Sequence, residues 1–153
     1  MDADKPVIED DADLPYYKQV EFVAGSSVIE VVEIADRKLR FSKETLKLAG
    51  IDPSCAAIAR LNGRAMEKLI LDGAAIGFDT SFKHVVDGEI YVFDQGGMLR
   101  VQYLYNLPGG GIRIRSENSD EYPDELLTRE DVSCITILGR VFWWSTIRRA
   151  PLR

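Results

Sequence analysis

The residue types able to do chemistry are few in this chain and widely separated. The single histidine, His84, and the two cysteines, Cys55 and Cys134, have no partners at the spacings that build a zinc site or a nucleophile-base pair. The cysteines therefore read as small buried thiols of a reducing compartment, and His84 as a surface or turn residue. Four carboxylates, Asp120, Glu121, Asp124 and Glu125, flank Tyr122-Pro123. Carboxylates in such numbers can hold a divalent cation or split a glycoside, but nothing else in the sequence converges on these, and they read as a solvated acidic loop. The glycines of LPGGGIRI lack the following helix and lysine that a phosphate-binding loop requires, so they read as a turn. No cofactor and no metal is expected.

Short strands must do the positioning. From Cys55 onward, apolar runs alternate with turn residues: AAIARL, Asn62-Gly63, residues 69–71, Asp72-Gly73, AAIGFD, Asp87-Gly88, EIYVFD and Gly96-Gly97. MLRVQYLYNL alternates most strongly and joins IRIRS through Pro108 and the glycines, the pattern of a long hairpin. CITILGRVFWW closes the fold. Upstream, YYKQVEFVAG reads as a strand with Val20 and Phe22 on its buried face, and VIEVVEI as a second extended run. One short helix is expected over 43–49, capped by Ser42, stopped by Gly50 and buried through Leu46 and Ala49. The fold class is mainly β, a compact, bent or partly rolled sheet.

Charge narrows the function. The chain has 153 residues, 46% of them hydrophobic and 29% charged, the profile of one soluble globular domain. Of the net charge of -6, residues 1–14 hold six acids against one Lys, so the folded body is close to neutral. Phosphate neutralisation needs clustered Lys and Arg, and direct nucleic-acid binding by this chain is not expected. No apolar stretch approaches the roughly 20 residues that span a bilayer, and the acidic start is the opposite of a signal peptide's basic region. A cytoplasmic protein without membrane contact follows. The expected parts are a flexible acidic arm over 1–15, a folded body over 16–147 and a short basic tail over 148–153.

One ordered series of motifs is more specific. LNGRAMEKLILDGAAIGFD, then DGEIYVFD, then LRVQYLYNLPGGGIRIRSENSDEYPDE, then ILGRVFWW resembles the C-terminal domain of LexA-like and phage CI-type repressors, the UmuD-related family of Ser-Lys self-cleaving peptidases. That family's first motif has the form G-D-S-M-E-P followed by D-G-D, and Gly63, Met66, Glu67, Asp72 and Gly73 match it. Its lysine strand reads V-K-R-L, and Val101 and Leu104 match. Its scissile Ala-Gly bond corresponds to Ala24-Gly25 in EFVAGSS. The resemblance places the nucleophilic serine at Ala65 and the general-base lysine at Gln102, while Arg64 and Lys68 replace the usual acid and proline. A methyl group offers no nucleophile and a carboxamide is no base. The resemblance thus implies an inactive pseudo-peptidase, not an enzyme.

What such a domain keeps is assembly: homodimers or higher oligomers, or contacts with intact repressor homologues, in prophage or SOS-response transcription regulation. Residues 1–40 lack the paired amphipathic helices of a helix-turn-helix. The aromatic run Phe142, Trp143 and Trp144 is the candidate interface, because alternation turns at least one large ring away from the core. A residual self-cleaving serine peptidase or a UmuD-like SOS accessory factor is the alternative reading.

Overall fold

A computed structural model describes residues 10–24 and 26–146, with backbone alone at 20–24, 26–28, 35 and 36. The strands are β1 (Asp11–Ala24), β2 (Ser26–Ser42), β3 (Ala56–Arg60), β4 (Ala75–Asp79), β5 (Glu89–Gln95), β6 (Met98–Asn106), β7 (Ile112–Arg115), β8 (Glu125–Leu127) and β9 (Ile135–Ser145). They form one sheet in the order β2-β1-β3-β4-β9-β5-β6-β7-β8. Only β1 and β3 pair in parallel, over two residue pairs; every other pairing is antiparallel.

The sheet is mainly β and bent, as the turn spacing predicts, and β9 shows why. Leu138 is an extra residue between the Val92↔Gly139 and Phe93↔Ile137 pairs, and Phe142 is another between Gly77↔Trp143 and Phe78↔Val141. Each β-bulge adds local twist and turns the strand. The two bulges lie on the two edges of one central strand, so the sheet curls around it.

Three apolar clusters fill the curve. One gathers Ala57, Met66, Ile70, Phe78, Val92 and Val101; a second, Leu14, Tyr16, Phe41, Leu46 and Ile58; a third, Tyr91, Phe93, Leu104, Ile112 and Ile114. Period-2 alternation sends Val92 to one cluster and its neighbours Tyr91 and Phe93 to another.

The helix, α1 (Lys43–Ala49), starts where Ser42 Oγ accepts the Thr45 N–H at 3.3 Å. It stops at Gly50, whose φ of 75° is the left-handed cap that glycine favours. Leu46 is buried there, but Ala49 is exposed. The acidic arm expected over 1–15 is shorter than composition indicates. Residues 11–15 belong to β1, because Leu14 is fully buried beneath α1 and β2 and supplies the apolar contact that the surrounding aspartates lack. Residues 1–9, the tail at 148–153 and the burial of Val20 and Phe22 lie outside the described residues.

Candidate functional site

Asn62 begins the loop that carries Ala65. At its base Leu61 N–H donates to Ala74 O and Gly73 N–H to Leu61 O, both at 2.9 Å, and Gly63 N–H donates to Asp72 Oδ1 at 2.8 Å. Gly63 and Gly73 hold φ values of 105° and 87°, conformations that a side chain disfavours. Met66 and Ile70, both fully buried, plug the loop into the core, and Ile70 N–H donates to Met66 O at 2.8 Å. Glu67 faces Arg64 at 3.0 Å, which raises the pKa of the guanidinium. Every matched residue of the first motif thus serves the loop's shape. Two glycines bend it, Asp72 staples it, Met66 anchors it and Glu67 pairs across it.

The segment after β7 forms the opposite wall. Asn118 N–H donates to Ala65 O at 2.9 Å, and Asn118 Nδ2 donates to Arg64 O at 3.4 Å. Tyr122 N–H donates to Asn118 O at 2.9 Å and brings its ring to the same place. Between the walls lies a groove of about 360 Å³, lined by Ala65, Gln102, Leu61, Met98, Tyr122 and Gln19 among others.

Ala65 and Gln102, 37 positions apart in sequence, therefore line one groove. Gln102 is only 3% exposed, and its Nε2 donates to the equally buried Ser116 Oγ at 2.6 Å. This hydrogen bond satisfies a carboxamide that would otherwise carry a desolvation cost of about 1–3 kcal/mol. The Ala65 side chain ends in a methyl. The buried hydroxyl bonded to Gln102, that of Ser116, meets an amide that cannot take its proton.

The groove follows an edge of the sheet. All five residues 98–102 line it, so the strand meets it with its backbone as well as its side chains. β7 pairs with β6 only from Tyr103 to Asn106, which leaves residues 98–102 without a strand on that side. Leu99 N–H finds a side chain there instead, Gln19 Oε1 at 2.9 Å.

Ala24 is the last residue of β1 and pairs with Ser26 of β2; Gly25, and with it the Ala24-Gly25 bond, lies outside the described residues. At about 3.4 Å per residue, Ala24 is about 17 Å along the strand from Gln19.

The aromatic run divides. The bulge at Phe142 breaks alternation, so Phe142 and Trp143 both pack on Phe41, at centroid distances of 6.2 and 4.9 Å. Both rings are half-buried and in contact with Phe41 within the chain. Trp144 alone stands exposed, at 36%.

Other expectations change as well. Cys134 is exposed and Cys55 half-buried, not two buried thiols. Strand β7 lies beside the acidic segment, so Asp124 sits 3.8 Å from Arg113 and 3.6 Å from Arg115. Arg100 clasps both oxygens of Glu125, which holds that carboxyl below its ordinary range. Half the loop is ion-paired rather than free in solvent. His84 stacks on Phe82 at 4.3 Å, and Arg140 covers that ring at 3.9 Å. Among the described residues, no three His, Cys, Asp or Glu side chains gather as a metal site, and no helix is long and apolar enough to cross a membrane.

Ser116, Asn118, Tyr122 and Gln19 shape the groove and were not singled out by sequence patterns. Ser116 carries one faint signal, a polar residue directly after the alternating IRIR strand. The others are ordinary polar or loop residues until the sheet folds.

Residues 15–142 match the model of the Peptidase S24-like family. The chain is 54% identical over 149 residues to the HTH-type transcriptional regulator PrtR of Pseudomonas aeruginosa, covering 96% of this chain and 58% of that protein. It is 40% identical over 149 residues to the repressor protein CI of Enterobacteria phage phi80, covering 96% of this chain and 61% of that one. An uncharacterized HTH-type transcriptional regulator of Haemophilus influenzae is 27% identical over 126 residues, or 82% of this chain and 52% of the other. The chain thus spans roughly three fifths of the length of the first two relatives.

Proposed function

Because the chain belongs to the Peptidase S24-like family, we propose that it is the regulatory and oligomerising part of a phage-repressor-type transcription regulator, cytoplasmic, whose self-cleavage chemistry has been lost. It acts through protein-protein contacts, with homologous copies or intact repressors as partners, and leaves the reading of DNA to a separate domain or to a partner. Its relatives support the regulatory setting, since two are named as HTH-type transcriptional regulators and one as a repressor.

The groove carries the pseudo-peptidase reading. Self-cleavage by a Ser-Lys dyad needs a hydroxyl oxygen at one wall and a lysine, neutral in a poorly solvated pocket, to take its proton. The positions that the resemblance assigns to these roles face the same groove with a methyl and an amide already bonded to Ser116. Loss of one member of such a unit lowers the rate by about 10⁴- to 10⁶-fold, and loss of the second adds little.

Intact mass measured during incubation at alkaline pH tests this reading. The purified chain is expected to keep its full mass, and the double variant Ala65→Ser with Gln102→Lys to release a fragment beginning at Gly25. Release of that fragment by the unaltered chain would overturn the loss of chemistry.

A further inference from the structure

The chain has three asparagines, each followed by a different residue: Asn62 by glycine, Asn106 by leucine and Asn118 by serine. An asparagine carboxamide carbon is a latent electrophile for the backbone nitrogen that follows it, once that nitrogen gives up its proton. A side chain on the following residue obstructs the approach, and glycine has none. Sequence alone therefore sets Asn62-Gly63 apart from the other two.

Folding widens the difference. The Asn106 carboxamide donates to Val85 O at 3.0 Å and to Asp87 Oδ1 at 2.9 Å. The Asn118 carboxamide donates to Arg64 O at 3.4 Å and to Glu121 Oε2 at 3.0 Å. Among the described residues the Asn62 carboxamide has no such partner, and Asn62 is exposed on the wall of the Ala65–Gln102 groove. Its neighbour is equally open, since a Cβ built on Gly63 would meet nothing within 4 Å. One contact opposes the reaction. The hydrogen of the attacking atom, Gly63 N, is committed to Asp72 Oδ1 at 2.8 Å. A carboxylate so close also disfavours loss of that proton, which would leave a second negative charge beside it.

We propose that Asn62-Gly63 is a deamidation site in the groove wall, held back by the Asp72 hydrogen bond and released when that bond opens. Gly63 N bonds to Asn62 Cγ, the Cγ–Nδ2 bond breaks, and the amide group leaves as ammonia with the hydrogen that Gly63 N has lost. Water then opens the cyclic imide. Its hydroxyl adds to one of the two carbonyl carbons and its hydrogen returns to the nitrogen, which yields aspartate or isoaspartate at position 62. Either product puts a carboxylate where a neutral amide stood. Arg64 and Arg100 line the same groove but are already paired with Glu67 and Glu125, so the wall becomes more acidic. The isoaspartate form also adds a backbone carbon just ahead of the stapled Gly63 N–H, at the base of the loop that carries Ala65.

Peptide mapping of the full chain during incubation at mildly alkaline pH tests the site. Neither product shortens the chain, so the map separates this reaction from self-cleavage. Asp72→Ala removes the acceptor and is expected to speed conversion at Asn62 about tenfold, the effect of losing one hydrogen bond to a charged acceptor. Asn106 and Asn118 are expected to stay intact in both proteins, and Gly63→Ala added to Asp72→Ala to slow conversion at Asn62 again. Equal rates at Asn62 with and without Asp72, or no conversion there in Asp72→Ala, would overturn the proposal. Should Asp72→Ala unfold, seen as Asn118 converting alongside Asn62, Asp72→Ser keeps a weaker acceptor in place and decides by the same comparison.

Discussion

Gln102 and Tyr103 are consecutive residues of β6 that end in different surroundings, because successive side chains leave a strand on opposite faces. Gln102 turns inward to Ser116, whereas Tyr103 donates its hydroxyl to the exposed Glu117 at 2.5 Å. Partial burial, reinforced by that carboxylate, pushes the Tyr103 phenol up from 10.0 to about 12. The raised value means that the folded state disfavours the ionised ring. Its contribution is fully present below the unfolded value of 10.0 and is lost as pH rises from there through about 12. Absorbance titration of the tyrosines is expected to show one phenol ionising well above the rest, and Glu117→Gln to bring it down. Exposed Glu117 and half-buried Tyr103 illustrate what the sequence withholds at this scale. Alternation places Tyr103 on a face, but its partner 14 positions later depends on how the chain returns after β7.

At the scale of elements, local signals were legible where local physics decides. Ser42 and Gly50 delimit α1 because an N-cap and a left-handed C-cap act within a few residues, and the β6–β7 hairpin follows from alternation around Pro108 and its glycines. The bulges were not legible, since an extra residue in β9 is defined only against β4 and β5. For that reason alternation indicates that at least one ring of the 142–144 run faces outward but not which, and the bulge lets both Phe142 and Trp143 pack on Phe41. The start of β1 was missed for a related reason, as the burial of Leu14 depends on Leu46 and Phe41, far along the chain. Gly139 marks the cost of the bulged geometry. A Cβ there would overlap the Asp79 carbonyl oxygen and lie 2.9 Å from the Phe78 ring, and backbone cannot swing aside as a side chain can. Gly139→Ala is expected to destabilise the fold by about 3 kcal/mol, at the upper end of overpacking effects, read as a lower urea midpoint with little change in slope.

For the molecule as a whole, the exposed aromatic surface is narrower than the run of three rings implies. Trp144 is its one exposed ring, at the end of β9, and large exposed aromatics are frequent anchors of interfaces. Trp144→Ser is expected to shift sedimentation equilibrium toward monomer while leaving the urea midpoint nearly unchanged. An unaltered association constant would remove Trp144 from the interface. Family membership and the Ala65 loop could be read from short motifs because that loop is carried by nearly contiguous residues, Gly63 through Met66 and then Asp72 and Gly73. The Gln19–Leu99 hydrogen bond could not, because it joins residues 80 positions apart. The place of β9 in the sheet carries a consequence in time as well as in space. It is the last of the described strands, yet it sits between β4 and β5, so strands β2-β1-β3-β4 and β5-β6-β7-β8 reach sheet continuity only through it. During synthesis the two half-sheets exist before the strand that unites them. Closure is therefore a late, long-range event, slow by the rules of contact order, and until it happens the facing edges of β4 and β5 stand open to pairing with other chains.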